Sequence, residues 1–280
     1  MALEGIKEYR RPTGMAEALA LLERESPRTV PLAGGAYLAI QRDQGIEAVV
    51  DLSALGLDGI EANGGEIRIG AMLRLETLAT GGVPGRSGEA LAQVARRQGW
   101  QLRCGSTLGG ALVTGALPEL DALLWAMEAR VSLAGAQDGT FDFAGFLEQR
   151  EHLPPATLLT GVILPMPATN EGLGAARVSR TPADFPTAAA TAWLERRGDR
   201  ISTTRLVLIG AAAGPLRMSA LEQALAGRRW TDTLPELATQ AIAEIGTPPA
   251  DIRGGSEYRR AMLGVCASEA LIAAWNDSAG

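Results

Sequence analysis

Apolar residues recur at two spacings along the chain, and the switches between them mark its elements. After Thr13, a residue able to cap a helix, Met15, Ala18, Leu19 and Leu22 share one helical face until Ser26-Pro27 ends the run. Thr29 to Leu32 reads as a short buried strand, Ala36 to Arg42 as a helix and Ala48 to Leu52 as a second apolar strand, a βαβ-like unit of short pieces. Apolar and polar residues alternate in Ile60–Ala62 and Glu66–Gly70, and Asn63-Gly64-Gly65 between them has the turn chemistry of a hairpin. A short helix is expected from Leu73 to Ala79, a loop over Pro84–Gly88, and a longer helix from Glu89 to Gln98 with Leu91, Val94 and Ala95 inward. Leu120, Leu123, Leu124 and Met127 mark a strongly amphipathic helix. A strand at Arg130–Leu133 follows, then a turn at Asp138-Gly139 into Thr140–Phe143, and an apolar strand at Thr157–Leu164 closed by Pro165 and Pro167.

Small and polar residues from Ala168 to Gly174 read as a linker, and the pattern changes beyond it. Ala175–Ser179, Thr187–Glu195 and Ile201–Ala211 predict three strands, the last two joined by a turn over Arg196–Arg200. Helices are expected at Ser219–Leu225, Leu234–Glu244 and Ser256–Ala274. Strands in a run followed by helices in a run indicate an α+β module, here a three-stranded antiparallel sheet plus helices. The chain has 280 residues, which fits two domains of roughly 100 to 200 residues each, with limits at 1–170 and 171–280.

Two glycine-rich stretches interrupt these patterns. Leu102 to Gly115 places four glycines and three hydroxyls between two helical segments. Glycine suits a positive φ or the close approach of another group, and successive main-chain N–H groups in such a bend form a concavity suited to a phosphate. The alternative is a long loop whose glycines only turn the chain. The second stretch, Thr29 to Ile40, runs a strand into Gly34 and Gly35 and then into an apolar segment that can open a helix. Two such turns could hold the two ends of one diphosphate.

Composition narrows the chemistry. Hydrophobic residues make up 46% and charged residues 21%, as in ordinary globular proteins, and no uncharged stretch reaches the roughly 18 apolar residues of a membrane helix. The N-terminus has no basic-then-apolar signal pattern, so a cytoplasmic location is expected. With a net charge of −6 and no basic stripe interleaved with aromatics, nucleic acid is not an expected partner. Lys7 is the only lysine, which rules out a P-loop of the Gly-Lys-Ser/Thr kind and an internal Schiff-base lysine. His152 is the only histidine, so a multi-histidine metal site is excluded and a Ser-His-Asp triad disfavoured; a solvated helix end is its plain reading. Two cysteines, Cys104 and Cys266, are too few for a disulfide framework, a zinc site or an iron–sulfur cluster within the chain. Cys266 falls in step with Met262, Ala270 and Ala273 as a small core residue.

The glycine stretches, their order and the C-terminal segment Asp251 to Arg260 together resemble the FAD-binding medium subunit of the molybdenum hydroxylases, the group that contains carbon monoxide dehydrogenase and xanthine dehydrogenase. Pro31-Leu-Ala-Gly-Gly-Ala36 resembles the family's Leu-Ala-Gly-Gly-Thr turn, Ile69-Gly-Ala71 its Ile-Gly-Ala, and Ser106-Thr-Leu-Gly-Gly110 its Ala-Thr-Ile-Gly-Gly. Arg180 and Asp184 stand at its Arg-x-x-x-Asp, and Glu257-Tyr-Arg-Arg260 at its Glu-Tyr-Arg-Arg. The resemblance implies an FAD-binding domain of two α/β subdomains followed by a C-terminal α+β domain. It further implies electrons arriving from the iron–sulfur clusters of a small subunit, loaded by a molybdenum-cofactor large subunit, in a hetero-oligomer. No catalytic or metal-ligating residue is implied for this chain.

Carried over, the cofactor-binding residues are Leu32, Ala33, Gly34, Gly35, Ala36, Tyr37 and Leu38 in the first turn and Thr107, Leu108, Gly109 and Gly110 in the second. Leu164 and Arg180 join them, and so does a helix-start acid for which both Glu119 and Asp121 stand as candidates. Three departures accompany the match. The family's turn threonine is Ala36, the asparagine after Gly-Gly is Ala111, and the lysine expected near 176 is Ala176 with Arg177 adjacent. At about 0.5–1.5 kcal/mol for each hydrogen bond, the three losses would weaken FAD by about 1.5–4.5 kcal/mol. Two other readings are a member that has lost FAD and serves as a scaffold, and a self-sufficient flavin oxidase.

Overall fold

The computed structural model describes residues 5–40 and 45–279. The chain packs as two units, one of Met1–Ala116 with Glu128–Pro165, the other of Leu117–Met127 with Met166–Gly280.

The first unit opens with β1 (Glu8–Arg10), α1 (Met15–Leu22), β2 (Thr29–Leu32), α2 (Ala36–Ile40) and β3 (Ala48–Asp51). The last two expected residues of the α2 helix lie outside the described residues. β1, β3 and β2 form a parallel sheet in that order, so β2-α2-β3 is the expected βαβ unit. β1 was not predicted, because three residues, Glu8-Tyr9-Arg10, are too few to carry a pattern and only the backbone pairing with Ala48–Val50 makes them a strand. Nor does Thr13 cap α1; Gly14 occupies the cap position, with no side-chain bond. Ala18 and Leu22 of α1 bury against Val50, Leu52 and Leu158.

β4 (Ile60–Asn63) and β5 (Glu66–Gly70) make the expected hairpin around Gly64 and Gly65, both at positive φ. After α3 (Leu75–Ala79), α4 runs over Gly85–Arg96. Its first turn was expected as loop because of Pro84, Gly85 and Gly88, but Pro84 takes the extended cap position and Ser87 and Gly88 are buried. The main glycine stretch is also more helical than its composition suggests. α5 (Trp100–Gly105) and α6 (Leu108–Thr114) take up most of it, and the bend contracts to Ser106-Thr107. β6 (Arg130–Gly135), β7 (Gly139–Asp142) and β8 (Thr157–Pro165) complete an antiparallel five-stranded sheet of order β4-β5-β8-β6-β7. α8 (Phe143–Gln149), also unpredicted, buries Phe143 and Phe146, and Asp142 caps it by accepting from the Gly145 N–H.

The second unit is built on β9 (Glu171–Val178), β10 (Ala188–Arg197) and β11 (Arg200–Ile209), antiparallel, with a two-residue edge strand β12 (Leu216–Arg217) beside β11. One face carries Ala188, Ala190, Ala192, Leu194, Leu206 and Leu208 against α9 (Ser219–Leu225), α10 (Glu236–Ala243) and α11 (Ser256–Asp277). Cys266 lies in that core, and burial pushes its thiol up to about 12. The other face, with Ala189, Trp193, Val207 and Ile209, packs against Ala122 and Ala126 of α7 (Pro118–Ala126). Seven of the nine α7 residues are buried, among them Glu119 and Asp121, so this helix is not the one-sided amphipath its leucines suggested.

The expected linker is largely β9. Gly172 and Gly174 look like linker residues, yet a Cβ at either would lie 2.1 Å from a carbonyl oxygen of α11, that of Ala274 or Ala270. They are glycines because a helix backbone crosses the strand there. None of the helices formed by the described residues is long and apolar enough to cross a membrane.

Candidate functional site

The two glycine stretches meet. A Cβ placed on Gly34 would lie 2.1 Å from the Gly105 carbonyl oxygen and 3.0 Å from Ser106 Cα, so the turn after β2 rests directly on the bend between α5 and α6. Part of what presses on these glycines is therefore the chain itself. Gly109 repeats the arrangement: a Cβ there would come within 2.7 Å of the Ala71 side chain. Ala71 belongs to the Ile69-Gly-Ala71 segment, so two separate sequence motifs turn out to be the two sides of one contact.

Around this contact the two turns differ in what they offer. In the first, Gly35 has φ +83 and α2 starts at Ala36, with Ala39 N–H bonded to Gly35 O. The N–H groups of Gly35 and Ala36 thus precede any intrahelical acceptor. In the second, Leu108 N–H bonds to Leu73 O and Gly109 N–H to Ala71 O, both at 2.8 Å, while Gly110 N–H bonds to Thr107 Oγ1 at 3.2 Å. The donors expected to serve a diphosphate at Leu108 to Gly110 are thus already used within the chain. Gly110 is half-buried, and a Cβ there would crowd Thr107 Oγ1 at 3.1 Å, the same oxygen that accepts the Gly110 N–H.

A cofactor with a thin, anionic middle fits such a place. The floor formed by Gly34 and Gly105 carries no side chain, Gly35 and Gly110 add none, and the start of α2 supplies main-chain donors. Polar side chains contribute little: Ala36 is half-buried and Ala111 is 5% exposed on the inner side of α6. Leu164 is fully buried in β8, opposite Ile67 of β5, where its side chain is core. Gly105 and Ser106 were absent from the expected ligand set, although both lie at the centre of the contact. Their signal was there in the same glycine stretch, but nothing in spacing indicates which glycine a second turn rests on.

The remaining candidates belong to the second unit. Glu119 at the start of α7 is ion-paired with Arg177 Nε of β9 at 3.2 Å, with side chains 10% and 12% exposed. Arg177 Nη1 also donates to Pro182 O at 2.6 Å, and Nη2 to Asp184 O, so one guanidinium ties β9, α7 and the 180–184 loop together. Strand alternation explains why the cation stands at 177. Ala176 points into the core beneath α9 to α11, and Arg177 occupies the α7 face. Asp121 is 1% exposed, and Arg180 is half-exposed with its guanidinium 3.4 Å from Asp184. Further along, Asp251 accepts from the Arg253 N–H and from the Arg259 guanidinium, which hold its carboxyl down at about 2. His152 is exposed, and among the described residues no three His, Cys, Asp or Glu side chains gather as a metal site.

Residues 4–167 match the FAD binding domain in molybdopterin dehydrogenase, and residues 176–274 match the CO dehydrogenase flavoprotein C-terminal domain. The chain is 30% identical to the carbon monoxide dehydrogenase medium chain of Hydrogenophaga pseudoflava and 28% identical to that of Afipia carboxidovorans, in each case over 96% of both chains. The solved carbon monoxide dehydrogenase from Hydrogenophaga pseudoflava that lacks the Mo-pyranopterin moiety superposes with a TM-score of 0.86 at 28% identity, covering 97% of this chain and 98% of that one. With both of its parts matched in order over nearly its whole length, the chain belongs to the family of FAD-binding medium subunits of the molybdenum hydroxylases.

Proposed function

We propose that this oxidoreductase subunit carries electrons within a larger complex, receiving them from an iron–sulfur small subunit that a molybdenum-cofactor large subunit reduces, and delivering them to an external acceptor. The observation that supports this reading best is the convergence of Gly34 on Gly105, which brings two glycine turns to one place. Bound FAD supplies the exchange between one-electron and two-electron carriers that such a relay requires. The chain's own residues hold and orient it. Main-chain donors at the start of α2 would serve the diphosphate, the Thr107 hydroxyl would donate to it, and the bare floor at Gly34 and Gly105 would allow its close approach.

Purification from the native host tests the proposal. The expected result is a complex holding this chain, a cysteine-rich iron–sulfur subunit and a large molybdenum subunit, with one FAD per copy of this chain released on denaturation. The isolated chain should hold FAD and accept electrons only from its partners. Full dehydrogenase turnover by the lone chain would favour a self-sufficient oxidase and overturn the proposal.

A further inference from the structure

The bend over residues 103–109 is held by an adjacent strip of chain, 71–76. Gly109 N–H bonds to Ala71 O, Leu108 N–H to Leu73 O, and Leu75 N–H to Ser106 O at 3.1 Å. Arg74 and Thr107 face each other as an isolated antiparallel bridge. Two side chains extend this ladder beyond its backbone bonds. Arg103 Nε lies 3.0 Å from the Glu76 carboxylate, half-buried, and Arg74 Nη1 donates to Cys104 O at 2.5 Å.

The Arg74 contact stands one residue from the most critical point of the site. Cys104 O belongs to the last turn of α5, where helical carbonyls lack an intrahelical partner, and the next residue, Gly105, presents the carbonyl on which Gly34 rests. A guanidinium on Cys104 O therefore holds the Cys104–Gly105 peptide in place, one residue before the carbonyl on which Gly34 rests. Arg74 is itself exposed, so its remaining donors are not consumed in the core. It also places a permanent positive charge beside the two turns, in a chain that has alanine at 36 and 111 where the family it resembles has threonine and asparagine.

We infer that Arg74 is a positioning residue for the cofactor's diphosphate: it holds the Cys104–Gly105 end of α5 against the Gly34 turn and supplies the charge that the turns' side chains lack. The inference rests on the flavin reading above. FAD, ADP and riboflavin are titrated into the apo forms of the parent, Arg74→Leu and Arg74→Lys, with ADP scored as a competitor of FAD. Losing a hydrogen bond to a charged group at an exposed site corresponds to about a tenfold loss of affinity. Arg74→Leu should weaken FAD and ADP together by about that factor, leave riboflavin unchanged, and lower the melting temperature only by the small amount that one exposed hydrogen bond contributes. Arg74→Lys should recover part of the loss. Unchanged FAD and ADP binding in Arg74→Leu would overturn the inference alone. So would a parallel loss of all three ligands with a lower melting temperature, which marks a role in folding only. A parent that binds no FAD would instead overturn the flavin reading, and the inference with it.

Discussion

At Gly34 a single methyl group is enough to test the site. Gly34→Ala would drive a Cβ to 2.1 Å from the Gly105 carbonyl, which cannot rotate away as a side chain could. Overpacking of this kind costs about 1–3 kcal/mol, and the turns should part, so both the urea midpoint and FAD affinity should fall. Gly110→Ala is the contrast. Its Cβ would crowd only the Thr107 hydroxyl oxygen at 3.1 Å, a side-chain atom that can shift, so stability should fall less than in Gly34→Ala while any loss of FAD reports on the ligand's approach. Two further side chains make separate predictions. Cys266 is buried with its thiol raised to about 12, whereas Cys104 is half-buried, so an alkylating reagent on the native protein should label Cys104 and spare Cys266. Asp251 has a folded value of about 2 below an ordinary 3.8, so its stabilisation is present above pH 3.8 and is lost as pH falls through about 2. In Asp251→Asn, the fall in urea midpoint between those two pH values should be shallower than in the parent.

Elements in this chain are held at their ends as much as by their faces. Arg205 stacks over the Trp193 ring, 3.8 Å from its centroid, and donates to Ala126 O, closing the C-terminal end of α7, while Arg177 pairs with Glu119 at the other end. Arg177→Met would leave a nearly buried carboxylate without this partner, and removing one member of such a pair costs about 3–5 kcal/mol. Adding Glu119→Leu should recover most of that, a difference that a double-mutant cycle in urea measures directly. β9 and α11 depend on glycine in the same way that the site does. Gly174→Ala should push α11 away from the sheet, because its Cβ would stand 2.1 Å from Ala270 O and 2.4 Å from Ala274 N. Calorimetry should show a lowered melting temperature, whereas Gly198→Ala in the hairpin turn, with nothing within 4 Å of its Cβ, should cost only the strain of its positive φ.

For the whole molecule, the parallel three-stranded sheet and the antiparallel five-stranded sheet of the first unit bring the two glycine turns together from positions some 70 residues apart. α7 follows the glycine stretch directly in sequence yet packs on the sheet of the second unit. An exchange of electrons with partner subunits is the proposed task of this assembly. Rapid mixing of the reduced iron–sulfur subunit with the FAD-loaded chain should bleach the flavin absorbance. If the flavin stays oxidised while the reconstituted complex still turns over, the electrons bypass this chain.

Periodicity and turn chemistry were enough to place most strands, because alternation and Asn-Gly-Gly turns are local properties: the β4–β5 hairpin and β10–β11 lie close to where the pattern put them. Motif order was likewise enough to identify the family. What local pattern could not show is what a glycine faces. Leu102–Gly115 read as a glycine bend between helices and is itself mostly helix, and Gly172 and Gly174 read as linker and are strand, because in each case glycine answers a neighbour distant in sequence. The same limit applied to the acid at the start of α7. Spacing left Glu119 and Asp121 equivalent, and only the face of β9 that carries Arg177 shows which of them is held in that ion pair. Composition and spacing are written along the chain, whereas the contacts of Gly34, Gly105 and Arg74 arise only when turns and a helix end far apart in sequence pack together.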